Sequence, residues 1–276
     1  MGAGRAPERG GRMASPYAAV LRIYTKTALA YRMEFFMDML LFMVGPLIFI
    51  AVWLAVYSAE HVSAIGGITL AGMIVYQLIL GSISYLSYPD NIDNLQSDIQ
   101  QGSIASALIR PMRYVPQLLA RGIPGTLFFA VFGTAPILIA ISYIAGLHIG
   151  VLTAIAFVGE MAMAYAIIDL IGFIIGAMSV YLTNIWGIMN GLSWVFALAG
   201  GGIMPLSLYP QIAYNALMLT PFPYLYYVPG GTFSGMIPLG ALAPIFAVGL
   251  AWVAGLALVA ALVWSHASKA INAVGI

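Results

Sequence analysis

Apolar runs long enough to cross a lipid bilayer recur along this chain, at about 35–57, 67–86, 123–143, 151–204 and 239–263. A bilayer core of about 30 Å is crossed by roughly 20 helical residues. With 62% of 276 residues hydrophobic, no soluble domain of this size could hide the apolar surface inside itself. The runs are continuous, not alternating, which favours helices over a β-barrel. The stretch 151–204 is too long for one helix. We break it near "YLTNIWG" (181–187), which gives a fourth and a fifth span. The expected fold is all-α: a polytopic membrane protein with six transmembrane helices.

The cations test that map. All ten Lys and Arg fall at the N-terminus (Arg5, Arg9, Arg12, Arg22, Lys26, Arg32), in the loop 88–122 (Arg110, Arg113, Arg121) or near the C-terminus (Lys269). Six spans put all three regions on one side, and the positive-inside rule makes it the cytoplasmic one. Five or seven spans would move Lys269 outside. Residues 1–16 are rich in Gly, Arg and Pro and read as a disordered tail, without the apolar core of a signal peptide or a myristoylation pattern. Met1 and Met13 both stand as candidate starts. Residues 17–267 form one membrane domain, and 268–276 a cytoplasmic tail.

Within 17–34, Val20, Leu21, Tyr24, Ala28 and Tyr31 recur at helical steps while Arg22 and Lys26 share another face. That suits a helix lying in the membrane interface. The plainer alternative is a cytosolic extension of the first span.

Charge is scarce, at 7% of residues, yet "DNIDNLQSDIQQGSIASALIRPMR" (90–113) holds three aspartates and two arginines. Asp90 or Asn91 can cap a helix, Ile92, Leu95 and Ile99 make a narrow apolar stripe, and Gly102 ends it. Early aspartates complement the helix dipole. "SIASALIRP" reads as a second short helix stopping at Pro111. A loop above thirty residues with this grammar exceeds what a connector needs. A docking surface for a soluble partner explains it better than a solvated link.

Other chemistry is scarce. The chain has no cysteine, which excludes thiol catalysis, disulfides and thiolate metal sites. Neither Lys26 nor Lys269 follows a phosphate-binding glycine loop, and neither H-E-x-x-H nor G-x-S-x-G occurs. His61, His148 and His266 lie far apart, and a net charge of +1 carries no nucleic-acid signal. We expect no enzyme activity and no cofactor or metal. Two acids sit in the fourth span, Glu160 and Asp169, and intramembrane acids are functional candidates by default. Nine residues is roughly 900° of helix rotation and about 13.5 Å of rise, so they point to opposite faces. For Glu160 a helix–helix hydrogen bond or a neutral acid competes with a substrate or cavity role. Asp169 reads as structural. Gly172 and Gly176 could let helices approach closely.

Residues 200–235 are rich in Pro, Gly and Tyr. Pro205, Pro210, Pro221, Pro223 and Pro229 forbid one straight helix. The segment is too apolar for a solvated loop, and its tyrosines suit the interface. It reads as short helices re-entering the outer leaflet, one at "YPQIAYNALMLT" and another at "PYLYYVPGG". An external cap lying on the membrane is the alternative.

Three stretches carry a family resemblance: "YRMEFFMDML" (31–40), "GSIASALIRPM" (102–112) and "MPLSLYPQIAYNALMLTPFPYLYYVPGGTFSG" (204–235). From about Tyr17 to Ala267 the chain resembles a permease subunit of ABC-2-type ATP-binding cassette exporters, in the bacterial branch of compact six-span permeases. Ala105 stands where the family often has an acid. The resemblance implies two cytosolic ATPase copies, a second permease, identical or homologous, and a bacterial plasma membrane with both termini cytoplasmic. It implies a coupling helix within 90–113, with Asp90, Asp93, Asp98, Arg110 and Arg113 as the residues that engage the ATPase. It makes Arg22 and Lys26 part of an interface helix. It makes Pro205, Pro210, Pro221, Tyr224, Tyr227 and Pro229 part of an external gate. The expected partners are thus the ATPase, the second permease and membrane lipids, and not nucleic acid. The expected function is ATP-driven export of an apolar or amphiphilic substrate. The alternatives are an ion-coupled secondary transporter, which would need a buried ion site, and a membrane scaffold without transport.

Overall fold

In the computed structural model, which describes residues 16–30, 32–84, 90–104, 114–182 and 185–274, the apolar runs fold as helices. Helix α1 (Pro16–Ala30) covers most of the expected amphipathic segment. Its Val20, Leu21 and Tyr24 are half-buried, Arg22 and Lys26 are exposed, and it packs on α5, defined below. Helix α2 (Arg32–Glu60) carries the first apolar run and leaves Leu40, Leu41, Leu47 and Ile48 exposed.

A two-residue turn follows. Strands β1 (Ala64–Ile65) and β2 (Ile68–Thr69) pair antiparallel, with Ile65 opposite Ile68. Gly66 and Gly67 have φ of +56° and +80°, the paired positive values a tight hairpin of this twist requires. Thr69 then caps α3 (Leu70–Ile83) by accepting the Gly72 N–H at 3.2 Å. Helix α3 returns along α2, and Gly81 sets the closeness of the pair. A Cβ there would lie 2.5 Å from Met43 Sδ and 3.0 Å from Pro46 Cγ.

Helix α4 (Asp90–Gln100) belongs to the polar loop. Helix α5 (Tyr114–Phe129), a π-helical turn (Ala130–Thr134) and α6 (Ala135–Ala145) make one continuous apolar element. The Ala135 N–H reaches back to the Ala130 carbonyl. That wider turn lies just before Pro136, whose missing N–H would break a regular ladder. It also presents Thr134, whose hydroxyl donates to the Ser82 carbonyl of α3 at 2.6 Å. Gly146, with φ +63°, ends α6.

Helix α7 (Val151–Ala177) runs into a 3₁₀ turn (Met178–Val180), and α8 (Trp186–Ala199) follows. The break expected at 181–187 is therefore present. Helix α9 (Gln211–Met218), a 3₁₀ turn (Phe222–Leu225) and α10 (Tyr227–Ser234) come before the long α11 (Leu242–Val274). Helix α7 is the centre of the packing. It touches α11, α4, α10 and the 222–225 turn, so residues on opposite faces, Glu160 and Asp169 included, are both buried.

Among the described residues, four helical stretches are long and apolar enough to cross a membrane: Phe36–Glu60, Tyr114–Ala145, Val151–Val180 and Leu239–Ile271. The expected second and fifth spans appear as shorter apolar helices, Leu70–Ile83 and Trp186–Ala199. Two physical causes shorten them. The hairpin takes up residues before 70, and a glycine turn with Gly201 at φ +84° stops α8 before the expected limit near 204. At the other end, α11 runs through Lys269 to Val274, so much of the expected tail is helical.

Candidate functional site

The polar loop is built on α4. As its stripe predicts, Ile92 and Leu95 are buried, and they pack against α7. The approach is close because α7 offers Gly176: a Cβ there would lie 3.2 Å from Leu95 Cβ and 3.4 Å from Ile92 Cα. Of the two small residues singled out on this helix, Gly176 thus sits in a helix contact, and Gly172 is buried. Helix α4 ends where the Gly102 N–H bonds the Ile99 carbonyl at 3.2 Å, with Gly102 at φ +71°.

Asp98, near that end, is enclosed by donors. Ser103 Oγ donates to Oδ1 at 2.9 Å, and Tyr114 Oη and Arg121 Nη1 both donate to Oδ2 at 2.8 Å. The ion pair with Arg121 is largely buried, with side chains 14% and 18% exposed. Burial acts to raise the Asp98 carboxyl. The Tyr114 and Ser103 hydrogen bonds and the Arg121 charge outweigh it, and the group lies below the usual aspartate value. Tyr114 also stacks on Trp264 of α11, centroids 5.3 Å apart and planes at 12°, and Trp264 meets Phe173 of α7 at 5.7 Å. One carboxylate therefore ties α4 to α5, and the aromatic stack carries the connection on to α11 and α7. Among the other residues expected to engage a partner, Asp90 and Asp93 lie in α4, while Arg110 and Arg113 lie outside the described residues.

The segment 204–235 is the second polar feature. It folds as the short pieces expected, and its later half is core. Tyr224, Tyr227, Pro221 and Pro229 are buried, as is Pro205, while Pro210 is exposed at the start of α9. Pro229 stands in the first turn of α10, where no helical N–H bond is lost. Tyr224 donates to the Ile245 carbonyl of α11 at 2.8 Å, and Tyr76 of α3 donates to the Gly201 carbonyl at 2.8 Å. Gln77 Nε2 and, at longer range, Trp53 Nε1 both reach the Ile203 carbonyl, at 2.7 and 3.4 Å. Side chains from α2 and α3 thus satisfy the Gly201 and Ile203 carbonyls in the turn that leads into this segment.

Between these features lies Glu160. It is fully buried, and Thr232 Oγ1 of α10 donates to its Oε1 at 2.8 Å. Its Oε2 has no hydrogen-bond partner among the described residues. Of the readings weighed for Glu160, a helix–helix hydrogen bond has its partner here in Thr232. Asp169, also buried, lies further along the same helix. Sequence reasoning missed Thr232, Tyr114, Arg121 and Gln77. The available signal was a polar side chain inside an apolar run, which singles out Gln77 and Thr232 without naming a partner.

Among the described residues, no group of three or more His, Cys, Asp or Glu could hold a metal ion. The sequence model of one family, described as ABC-2 family transporter protein, matches residues 40–275. No curated protein and no solved structure matches the chain.

Proposed function

The chain belongs to the ABC-2 family of transporter proteins, and from that footing we propose that it is the membrane subunit of an exporter powered by separate cytosolic ATPases. Membership makes it a permease component of an ABC transporter. The finer reading is ours. Two such permeases, identical or homologous, pair with two ATPase copies. Closure of the ATPase dimer on ATP pushes α4 and opens a path between the permeases for an apolar or amphiphilic cargo.

The observation that carries this reading is the linkage of α4. A polar helix with its apolar stripe buried on α7, locked through Asp98 to α5 and through Tyr114 and Trp264 to α11, cannot be displaced alone. In this account Asp90, Asp93, Arg110 and Arg113 meet the ATPase, while Asp98 holds α4 to the helices it moves. Arg22 and Lys26, exposed on α1, face headgroups and brace that contact. The segment bearing Pro205, Pro210, Pro221, Tyr224, Tyr227 and Pro229 is the external gate, re-entering the outer leaflet. Helices α3 and α8 complete six crossings of a bacterial plasma membrane, with both termini cytoplasmic.

The test is co-purification with a cytosolic ABC-type ATPase co-expressed with this chain. Asp93→Arg or Arg110→Ala should lower ATPase retention and permease-stimulated hydrolysis by roughly tenfold, a loss of one strong contact, while membrane insertion is unchanged. Full retention and full transport in both variants would sink the assignment. Glu160 favours a second reading, ion-coupled transport, because a buried acid is what such a site needs. Cargo movement driven by a proton gradient without ATP would select it.

A further inference from the structure

A groove of about 740 Å³ opens between the α5–α6 element and α7. Its wall is almost wholly apolar, formed by side chains such as Leu127, Leu138, Ile139, Phe157, Val158 and Phe233. The polar side chains along it include Thr134 and Ser142, and both spend their hydroxyl protons on backbone carbonyls, at Ser82 and Leu138. At the rim, Leu127, Ile139 and Val158 are 59%, 70% and 68% exposed. These rim residues sit on helical stretches long and apolar enough to cross a membrane, so an opening at this level is one that hydrocarbon chains can enter.

At its far end, by the 147–150 connection, the groove meets a smaller cavity of about 280 Å³. The two share Leu147, Ile149 and Phe233 as a common wall. The smaller one differs in chemistry: His148, Thr153, Thr232 and Ser234 line it, and since Thr232 donates to Glu160 and Ser234 to the Gly231 carbonyl, those two hydroxyls meet a ligand as acceptors. A long apolar trough joined to a short polar chamber at a helix end has the two-part character of an amphiphile. The trough volume falls within the ~300–1,000 Å³ of sites that enclose most of a small ligand.

We propose that this composite site holds one membrane phospholipid, with an acyl chain in the groove between α5–α6 and α7 and its ester and headgroup region beside Thr153, Ser234 and His148. The lateral opening selects the bilayer as the source, and the polar chamber fixes the direction in which the lipid lies. The site lies at the end of α7 opposite Gly176, where α4 packs. It stands whether or not ATP drives transport, since no step of the coupling account uses it.

The experiment reconstitutes the chain into vesicles of phosphatidylethanolamine and phosphatidylglycerol containing phosphatidylcholine with a diazirine on one acyl chain. After irradiation, adducts should concentrate on peptides spanning 123–142 and 154–162. Ala162→Trp fills the groove from an exposed wall position. It should cut that adduct roughly tenfold, as expected if about two methylenes lose their burial. Ala51→Trp, on the exposed face of α2, should leave it unchanged. Labelling as dense on Leu40, Leu41 and Leu47 of α2 as in the groove would show annular lipid only and overturn the proposal. So would an absence of groove adducts, whether a polypeptide covers the trough or nothing does.

Discussion

Asp98 shows what single residues contribute here. Its two oxygens accept from Ser103, Tyr114 and Arg121, and its carboxyl is held below the ordinary value of 3.8. A carboxyl depressed in the folded state stabilises it above the unfolded value, and that contribution disappears as pH falls through the lower folded value. Asp98→Asn should therefore destabilise the protein by about 1–3 kcal/mol near neutral pH, the range for a hydrogen-bonded charge losing its partner. The gap between wild type and variant should stay constant from neutral pH down to about 5 and shrink below about 4. Thermal unfolding of both proteins in the same detergent across that range measures it. A gap that is unchanged at low pH would mean that Asp98 acts only through shape. Little of this was legible beforehand. Local grammar around Asp98 is readable because caps and stripes act over three or four residues. Its partners stand up to 23 residues away, and Thr232 is 72 residues from Glu160. No periodicity relates positions so distant, because chain packing alone decides which polar side chains meet.

Elements were easier to read than contacts, for a physical reason. Apolar runs and breakers are local properties, so the break between α7 and α8, the stripe of α4, the short helix at 211–218 and a broken piece over 223–231 all followed from sequence, the last folding as the 222–225 turn and α10. Helix ends were harder. The glycine turn after Ala199 and the continuation of α11 to Val274 depend on what each end packs against. The α4–α7 contact makes the point quantitatively, since its closeness is set by one missing methyl group at Gly176. The facing atoms include the Ile92 backbone, which cannot swing aside as a side chain can. Gly176→Val should cost about 1–3 kcal/mol by overpacking, and it should loosen α4 first. Limited proteolysis would then cut within 90–104 at protease levels that leave the wild type intact. Pairing it with Leu95→Ala should recover part of the loss, because neighbours that share a contact do not add independently. If the double variant is as unstable as the sum of the singles, the contact is not where the strain falls.

At the scale of the whole molecule, the question is how the four long apolar helices and two short ones found among the described residues sit in a bilayer. Helices α3 and α8 each have 14 residues, about 21 Å of rise against a core of about 30 Å. Taken by length alone they would not cross. The cations argue otherwise. If α3 and α8 stayed on one side, α2, α5–α6, α7 and α11 would be the only crossings. Arg110, Arg113 and Arg121 would then be outside while Lys269 remained inside, against the positive-inside rule. Packing supplies the means for a short crossing. Helix α3 is enclosed by α2, α6 and α10, and protein packed around a short helix is the setting in which non-helical chain beyond its ends is tolerated at membrane depth. The two arrangements agree on the ends of α2 and α11 and disagree at three places: α4, the 147–150 connection and the turn between α7 and α8. Because the chain has no cysteine, single cysteines at Ser97 and His148 separate them directly. In right-side-out vesicles, six crossings make His148→Cys reactive to an impermeant maleimide and Ser97→Cys protected. Four crossings reverse both results, and the reversed outcome would remove α4 from any cytosolic ATPase and with it the proposed coupling.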